Sequence, residues 1–456
     1  MLADRDHCAD YSIHGFHELF GVIQAAAKSL GVPDVEAIFG AHSSALTRFA
    51  NNAIHQNVAE QGRWVSVRVL IDGRTARATT NRFDPDALRS VVEQSIALTK
   101  SAAPDPDLLP LVEPSPIPEI PRFDIKTAKT TPKERGKTVA EAIQLVEAAG
   151  QTAAGIYSTG QSVEGIFNSA GVAALHCETT AQFSITVMAE DSSGWAKASA
   201  VSRESIDPLE LALSASKKAR LSRAPREVPP GQYTVILEPA AVLDLVGQMF
   251  GDFSATALAD QRSFLNDRLG TKLFGDNIHM YDDAAHPFQT GVPFDGEGLP
   301  RRRLTLVDAG VPREVAYSRE SARRAGVEPT GHGLPVPNEM GELPVNIVIA
   351  GGSDSVDDMI ASTSHGILVT RLWYIREVDP FAKIMTGMTR DGTFLIEDGR
   401  LSCGVRNFRF NQGLIDLLNN VEALSPSVRA SGEEAFDMVA PAMKVRDFHF
   451  TEVTRF

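Results

Sequence analysis

One pattern occurs twice in the first half of the sequence and restricts what that half can become. Over residues 64–71, Val65, Val67, Val69 and Ile71 alternate with Ser66, Arg68 and Leu70. Period two of this kind predicts a strand with one face in a core. Asp72-Gly73 supplies a hairpin turn, and residues 74–80 return as a second strand. Asp84-Pro85 then opens a helix, with the carboxylate as N-cap and the proline at the first helical position. Leu88, Val92 and Ile96 give that helix an apolar stripe. The same order returns later: Phe183, Ile185 and Val187 alternate, Asp191-Ser192-Ser193-Gly194 turns, residues 195–201 return, and Asp207-Pro208 opens a helix bearing Leu209, Ala212, Leu213 and Ser216. Hairpins followed by Asp-Pro helix starts are common. Matching turns, caps and lengths together read as an internal duplication.

The breaks between these units set the expected organisation. A proline-rich stretch, residues 104–121, forms an extended linker. Thr131-Pro132 starts a helix carrying Val139, Ile143 and Val146. A second break runs from Ala224-Pro225 to Pro229-Pro230-Gly231, and the main domain boundary is placed there. Beyond it, residues 233–237, 304–307, 345–350, 366–373 and 393–396 read as strands. Residues 240–249 read as a helix, and 414–421 as a short helix or strand. At 456 residues the chain exceeds the size at which one core stops growing. The expected fold class is α+β: an N-terminal α/β half with duplicated hairpin-plus-helix units, and a β-rich, barrel- or sandwich-like C-terminal domain. The expected domains are residues 1–110, 122–223 and 231–456.

The net charge of −14 repels phosphate backbones and argues against sequence-wide nucleic-acid binding. No apolar run approaches a membrane span. The polar start has no apolar signal core, so the cytoplasm is the expected compartment. Cys8, Cys177 and Cys403 lie far apart, with no metal-knuckle or redox spacing.

Motifs that carry chemistry are sparse. Gly351-Gly352-Ser353-Asp354-Ser355 lacks the Lys-Ser/Thr ending of a phosphate loop and reads as a loop with a helix cap. No Gly-x-Ser-x-Gly elbow occurs. His17-Glu18 is followed by Gly21 and Val22 where a helical zinc site needs a second imidazole. His279 and His286 flank Asp282-Asp283 in a stretch that reads as a solvated loop. His332 and His365 have no partner that sequence identifies. The role of residues 1–39 is unassigned.

Several stretches, in order, resemble one family. Arg48-Phe49-Ala50-Asn51-Asn52-Ala53-Ile54-His55-Gln56 looks like the N-terminal strand signature of TldD/PmbA proteins, and Val67-Arg68-Val69 through Asp72-Gly73-Arg74 continues it. Asn168-Ser169-Ala170-Gly171 resembles the family's middle turn. Gly231-Gln232-Tyr233-Thr234-Val235-Ile236-Leu237-Glu238-Pro239 is similar to the strand entering its active-site helix. Phe294-Asp295-Gly296-Glu297-Gly298, Gly366-Ile367-Leu368-Val369-Thr370 and Thr386-Gly387 resemble later signatures. The resemblance runs from about residue 45 to 446.

In the family's peptide-cleaving members the helix after that strand carries His-Glu-x-x-x-His, which binds zinc together with a C-terminal cysteine. Here Leu243 stands at the first histidine, Asp244 at the glutamate and Gln248 at the second histidine, with Gly247 between. No cysteine follows Leu424, and Cys403 lies on the wrong side of residues 408–418 to replace it. Leucine cannot bind zinc and a glutamine amide is a poor ligand. Asp244 then reads as an exposed helix carboxylate. The resemblance therefore implies no catalytic residue, metal or cofactor in this chain. It implies zinc in a TldD-like partner, a heterodimer or homodimer, and an unfolded peptide held in a shared chamber, with Asp295, Glu297 and Gly298 as cleft candidates. Two other readings stand beside it. One is a stand-alone metal-dependent hydrolase built around Asp282, Asp283, His286, Asp295 and Glu297. The other is a pure protein-binding regulator, the gyrase-modulator role attached to the family's name.

Overall fold

The structure, a computed structural model, describes residues 12–454. Helix α1 (Ile13–Ser29) is capped by Ser12, which accepts the Gly15 N–H. Strands β1 (Val35–Ala50), β2 (Ala53–Ile71) and β3 (Arg74–Thr80) form an antiparallel meander. Its turns use Asn51-Asn52 and Asp72-Gly73, all at positive φ, as two-residue hairpins require. Helix α2 (Pro85–Ser101) starts where the sequence places it, with Asp84 accepting the Ala87 N–H.

After the linker come α3 (Ile125–Ala128) and α4 (Pro132–Ala148), the latter closed by a Thr131–Glu134 capping box. A second meander, β4 (Thr152–Asn168), β5 (Ala173–Met188) and β6 (Ser193–Ala200), leads into α5 (Pro208–Leu221). There Asp207 accepts from Leu209 and Glu210. Helix, meander, helix is thus the order of both units.

The meanders join through β1 and β4, antiparallel from Glu36↔Asn168 to Phe49↔Gly155. One six-stranded sheet results, in the order β3-β2-β1-β4-β5-β6. Because side chains alternate across a strand, odd-numbered positions of β1, β2, β4 and β5 share one face with even-numbered positions of β3 and β6. Val35, Ala37, Phe39, Val65, Val67 and Val69 pack there against α1 and α2. Phe49, Ala153, Tyr157, Phe183, Ile185 and Val187 pack against α4 and α5. The even-numbered face is largely polar and turns toward the C-terminal part, where Ile38 and Ile166 meet Phe294.

The C-terminal part begins with β7 (Gly231–Leu237) and α6 (Pro239–Val246), followed by α7 (Ala255–Ala259), β8 (Met280–Asp282), β9 (Leu304–Asp308), β10 (Val311–Pro312), α8 (Arg319–Ala325), β11 (Ile347–Ile349) and α9 (Val356–Ala361). Then come β12 (His365–Asp379), β13 (Ile384–Glu397), β14 (Arg400–Gly404), β15 (Phe408–Gly413), α10 (Leu414–Asn419), β16 (Val421–Leu424), β17 (Val428–Ala430), β18 (Met438–Ala440) and β19 (Met443–Val453). One sheet runs β10-β9-β8-β11-β18-β17. The other runs β12-β7-β19-β15-β13-β14, and β12 also pairs with β13, so five strands close into a barrel. Closure leaves those strands without a free edge.

Several boundaries differ from expectation, among them the strand expected over 393–396, which begins already at Ile384. The helix expected over 240–249 ends at Val246 and tightens into a 3-10 segment, Gly247–Asp252. The strand expected over 366–373 runs on to Asp379, because its later polar residues still pair with β13 across bulges.

Gly194, at the start of β6, lies under α5. A Cβ there would overlap the Ala215 carbonyl oxygen and the Ala219 nitrogen, both backbone atoms. Gly194→Ala is therefore expected to destabilise the chain by about 1–3 kcal/mol, read as a lower urea midpoint.

Candidate functional site

Helix α6 carries the positions at which the sequence places the degenerate zinc motif. Its sequence is almost wholly apolar, and it sits inside the main C-terminal core. Leu243 is fully buried there. Asp244 is buried as well, contrary to the exposed position expected for it. Its Oδ1 accepts the backbone N–H groups of Glu433 and Glu434, each at 2.9 Å, while its Oδ2 has no partner. Burial pushes its pKa up to about 6. Gln248 donates from Nε2 to the carbonyls of Asp244 (3.1 Å) and Glu434 (3.2 Å).

The segment 432–435 is seated on this helix. A Cβ at Gly247 would stand 2.7 Å from the Ala435 Cβ, and one at Gly432 would overlap the Asp244 carboxylate. Lys197 of β6 donates to the Gly432 carbonyl and pairs with Glu433 at 3.3 Å. Glu434 accepts the Tyr374 N–H at 2.8 Å. The loop thereby links the motif helix, the N-terminal sheet and the barrel.

This donor set does not fit zinc. Leu243 offers no lone pair, Gln248 could offer only its amide oxygen, a poor ligand for zinc, and one Asp244 oxygen is taken by two N–H groups. Cys403 lies on β14 beside Arg226. Among the described residues no group of three or more His, Cys, Asp or Glu side chains comes together as a metal site. No metal-dependent step is assigned to these residues.

The cleft candidates lie where the sheet meets the C-terminal part. Asp295 and Glu297 are 2% and 5% exposed. Asp295 is used up locally: Oδ1 accepts from Glu297 and Leu299, and Oδ2 from Gly333. Gly298 adopts a φ of 92° close to Val172. Glu297 accepts the Arg319 N–H at 3.0 Å; burial, with the Asp295 charge beside it, raises its pKa to about 7. Nearby, Glu36 is held by Arg68 at 3.1 and 2.8 Å and by Arg77, which also donates to the Val336 carbonyl. These groups clamp the two parts of the chain together.

The residues of the stand-alone hydrolase reading are not brought together. Asp282 is fully buried, accepts from Val345 and Asn346, and faces His332 at 3.2 Å. Asp283 caps Ala285 and lies 3.8 Å from Arg303. His286 accepts the Phe288 N–H, and His279 pairs with Asp308 at 3.1 Å.

Sequence reasoning missed a polar group on the even face of the sheet. Strand register sets it out in two cross-strand rows. Trp64, Gly40, Glu164 and His176 form one; Gly62, His42, Ser162 and Glu178 form the other. All of them but Gly62 line a cavity of about 190 Å³ with Val292 at its margin. The only signal in the sequence is parity along four strands, and the sequence patterning marks only β2 and β5 among them.

With the geometry in view, the chain can be compared with known proteins. Residues 230–452 match the model of the PmbA/TldA metallopeptidase C-terminal domain, and residues 35–99 match domain 1 of the same family. The chain belongs to the PmbA/TldD family. Metalloprotease PmbA of Escherichia coli O157:H7 is 22% identical over 84% of this chain and 85% of that protein. A metalloprotease of Methanocaldococcus jannaschii is 27% identical over 49% of this chain and 50% of its own length. The crystal structure of TldE from Thermococcus kodakarensis superposes with a TM-score of 0.87 at 19% identity, covering 95% of this chain and all of that one. The TldE fold is shared over nearly the whole chain.

The burial of Asp244 is testable. Its folded pKa, about 6, lies above the ordinary 3.8, so the native state holds the proton more tightly and stability falls as pH rises through that window. The shift corresponds to on the order of 3 kcal/mol. Urea unfolding of wild type and Asp244→Asn between pH 4 and 7 should show the wild type losing stability relative to the variant by an amount of that order.

Proposed function

We propose that this chain is the metal-free partner of a TldD/TldE-type peptidase. It pairs with a TldD-like subunit that holds the zinc, and contributes part of the wall of a chamber that receives unfolded peptide in the cytoplasm. The observation that carries this reading is the state of the motif helix: Leu243 is core, and Asp244 and Gln248 bind the backbone of the 433–434 segment. With Leu243 and Gln248 in place of two imidazoles there is no zinc-bound water for a carboxylate at 244 to activate, so hydrolysis falls to the partner. Among the described residues no helix is long and apolar enough to cross a membrane.

The sheet offers a way to hold substrate without chemistry. β3 pairs with β2 only from Val65 onward, so residues 53–64 pair on one side with β1 and have no β3 partner on the other. A strand edge of this kind can accept an extended peptide through main-chain hydrogen bonds, which makes few demands on its sequence. The chain's role in the reaction is then to bind, extend and enclose the peptide.

The test is reconstitution. The purified chain, a chain carrying His-Glu-x-x-x-His and their mixture are each assayed on an unfolded peptide. The expected result is no cleavage by this chain alone and more cleavage by the mixture than by the zinc-bearing chain alone. Chelator-sensitive cleavage by this chain alone, or a mixture no more active than the zinc-bearing chain, would overturn the proposal.

A further inference from the structure

The cavity on the even face of the sheet has no part in the account above, yet it is a built site. Its floor depends on two glycines. A Cβ at Gly40 would overlap the Trp64 indole, and one at Gly62 would overlap the His42 imidazole. Each ring therefore lies across its neighbouring strand, flat against the sheet. Beside them stand Glu164 and Glu178, cross-strand neighbours of His176 and Ser162. Ser162 donates to Glu178 at 3.0 Å. The roof is the loop before Phe294, tied down by Arg122, which donates to the His286 and Gln289 carbonyls, and by Arg429, which donates to the Phe288 carbonyl.

Two features leave the site incomplete. His176 is 95% buried, at 5% exposure, and its Nε2 has no hydrogen-bond partner, a state that costs free energy unless something fills it. Burial holds this ring neutral, with its pKa lowered to about 4. Both carboxyls are raised above their ordinary range, chiefly because they are surrounded by protein. Arg301 and Arg429 act on them through space, but the hydrogen bonds of these arginines go elsewhere: Arg301 to Phe294 and Gly331, Arg429 to Ser199, Phe288 and Asp437.

We infer that this cavity binds a primary ammonium group, held by the Glu164 and Glu178 carboxylates and His176 Nε2 and bordered by the Trp64 ring. An ammonium has three donors and no acceptor, which matches two carboxylates and one imidazole lone pair. Charge-assisted bonds of this type are the strong ones, and an aromatic face beside a cation adds attraction. The inference rests on the peptide-chamber reading only for the source of the amine, a peptide's free amino terminus or its lysine side chain.

The experiment is titration calorimetry on the full chain with three short peptides. One has a free amino terminus and no lysine; one is N-acetylated and contains a lysine; one has both amines acetylated. At least one amine-bearing peptide should bind about tenfold or more tightly than the blocked one, and which one it is identifies the source. The double variant Glu164→Gln, Glu178→Gln, checked for folding by its thermal melt, should bring that peptide down to the level of the blocked one. Equal affinity for all three peptides, or undiminished preference in a folded double variant, would overturn the inference. Because the wild-type comparison needs no partner subunit, its failure is distinct from failure of the reconstitution.

Discussion

The antiparallel pairing of β1 with β4 is the constraint on which the rest of the molecule depends. It runs from Glu36↔Asn168 to Phe49↔Gly155 and converts two three-stranded meanders into one sheet. Joined, they place all four long helices on one side and free the other for the C-terminal part and the cavity. The junction needs close approach at its end: a Cβ at Gly155 would overlap the Ser184 carbonyl and the Phe49 ring.

From that arrangement the fate of the motif helix follows. β6, at the edge of the joined sheet, presents Lys197 to the Gly432 carbonyl and the Glu433 carboxylate while Asp244 holds the same segment by its backbone N–H groups. The two grips turn what could be a loop over an open site into a structural tie between sheet, helix and barrel. Asp244 is thus a carboxylate kept for its hydrogen-bond acceptors. The cost of burying it is visible in its raised pKa.

Much of this was legible in the sequence, and the failures have physical causes. The alternation at Val65–Val67–Val69 and the Asp-Pro caps at 84–85 and 207–208 gave strand, turn and helix with nearly correct bounds, because each is a local steric or hydrogen-bonding effect. The β-rich second half and its barrel-like character were also legible, though not the pairings that close it, since β7–β12 and β7–β19 join residues far apart in the chain. β4 escaped notice because Gly155, Gly160 and Gly165 interrupt its alternation. Asp244 was misplaced as exposed because its burial is caused by residues 433 and 434, which sequence gave no reason to bring near. The two-row polar group was invisible for the same reason: its members become neighbours only through strand register.

The measurement that bears most directly on the partner-subunit account is the zinc content of the purified chain, taken by elemental analysis after dialysis against zinc-containing and then zinc-free buffer. The account predicts that no zinc is retained, since Leu243, Asp244 and Gln248 cannot assemble the three or four N, O or S donors that a zinc site needs. Retention of about one zinc per chain would contradict it.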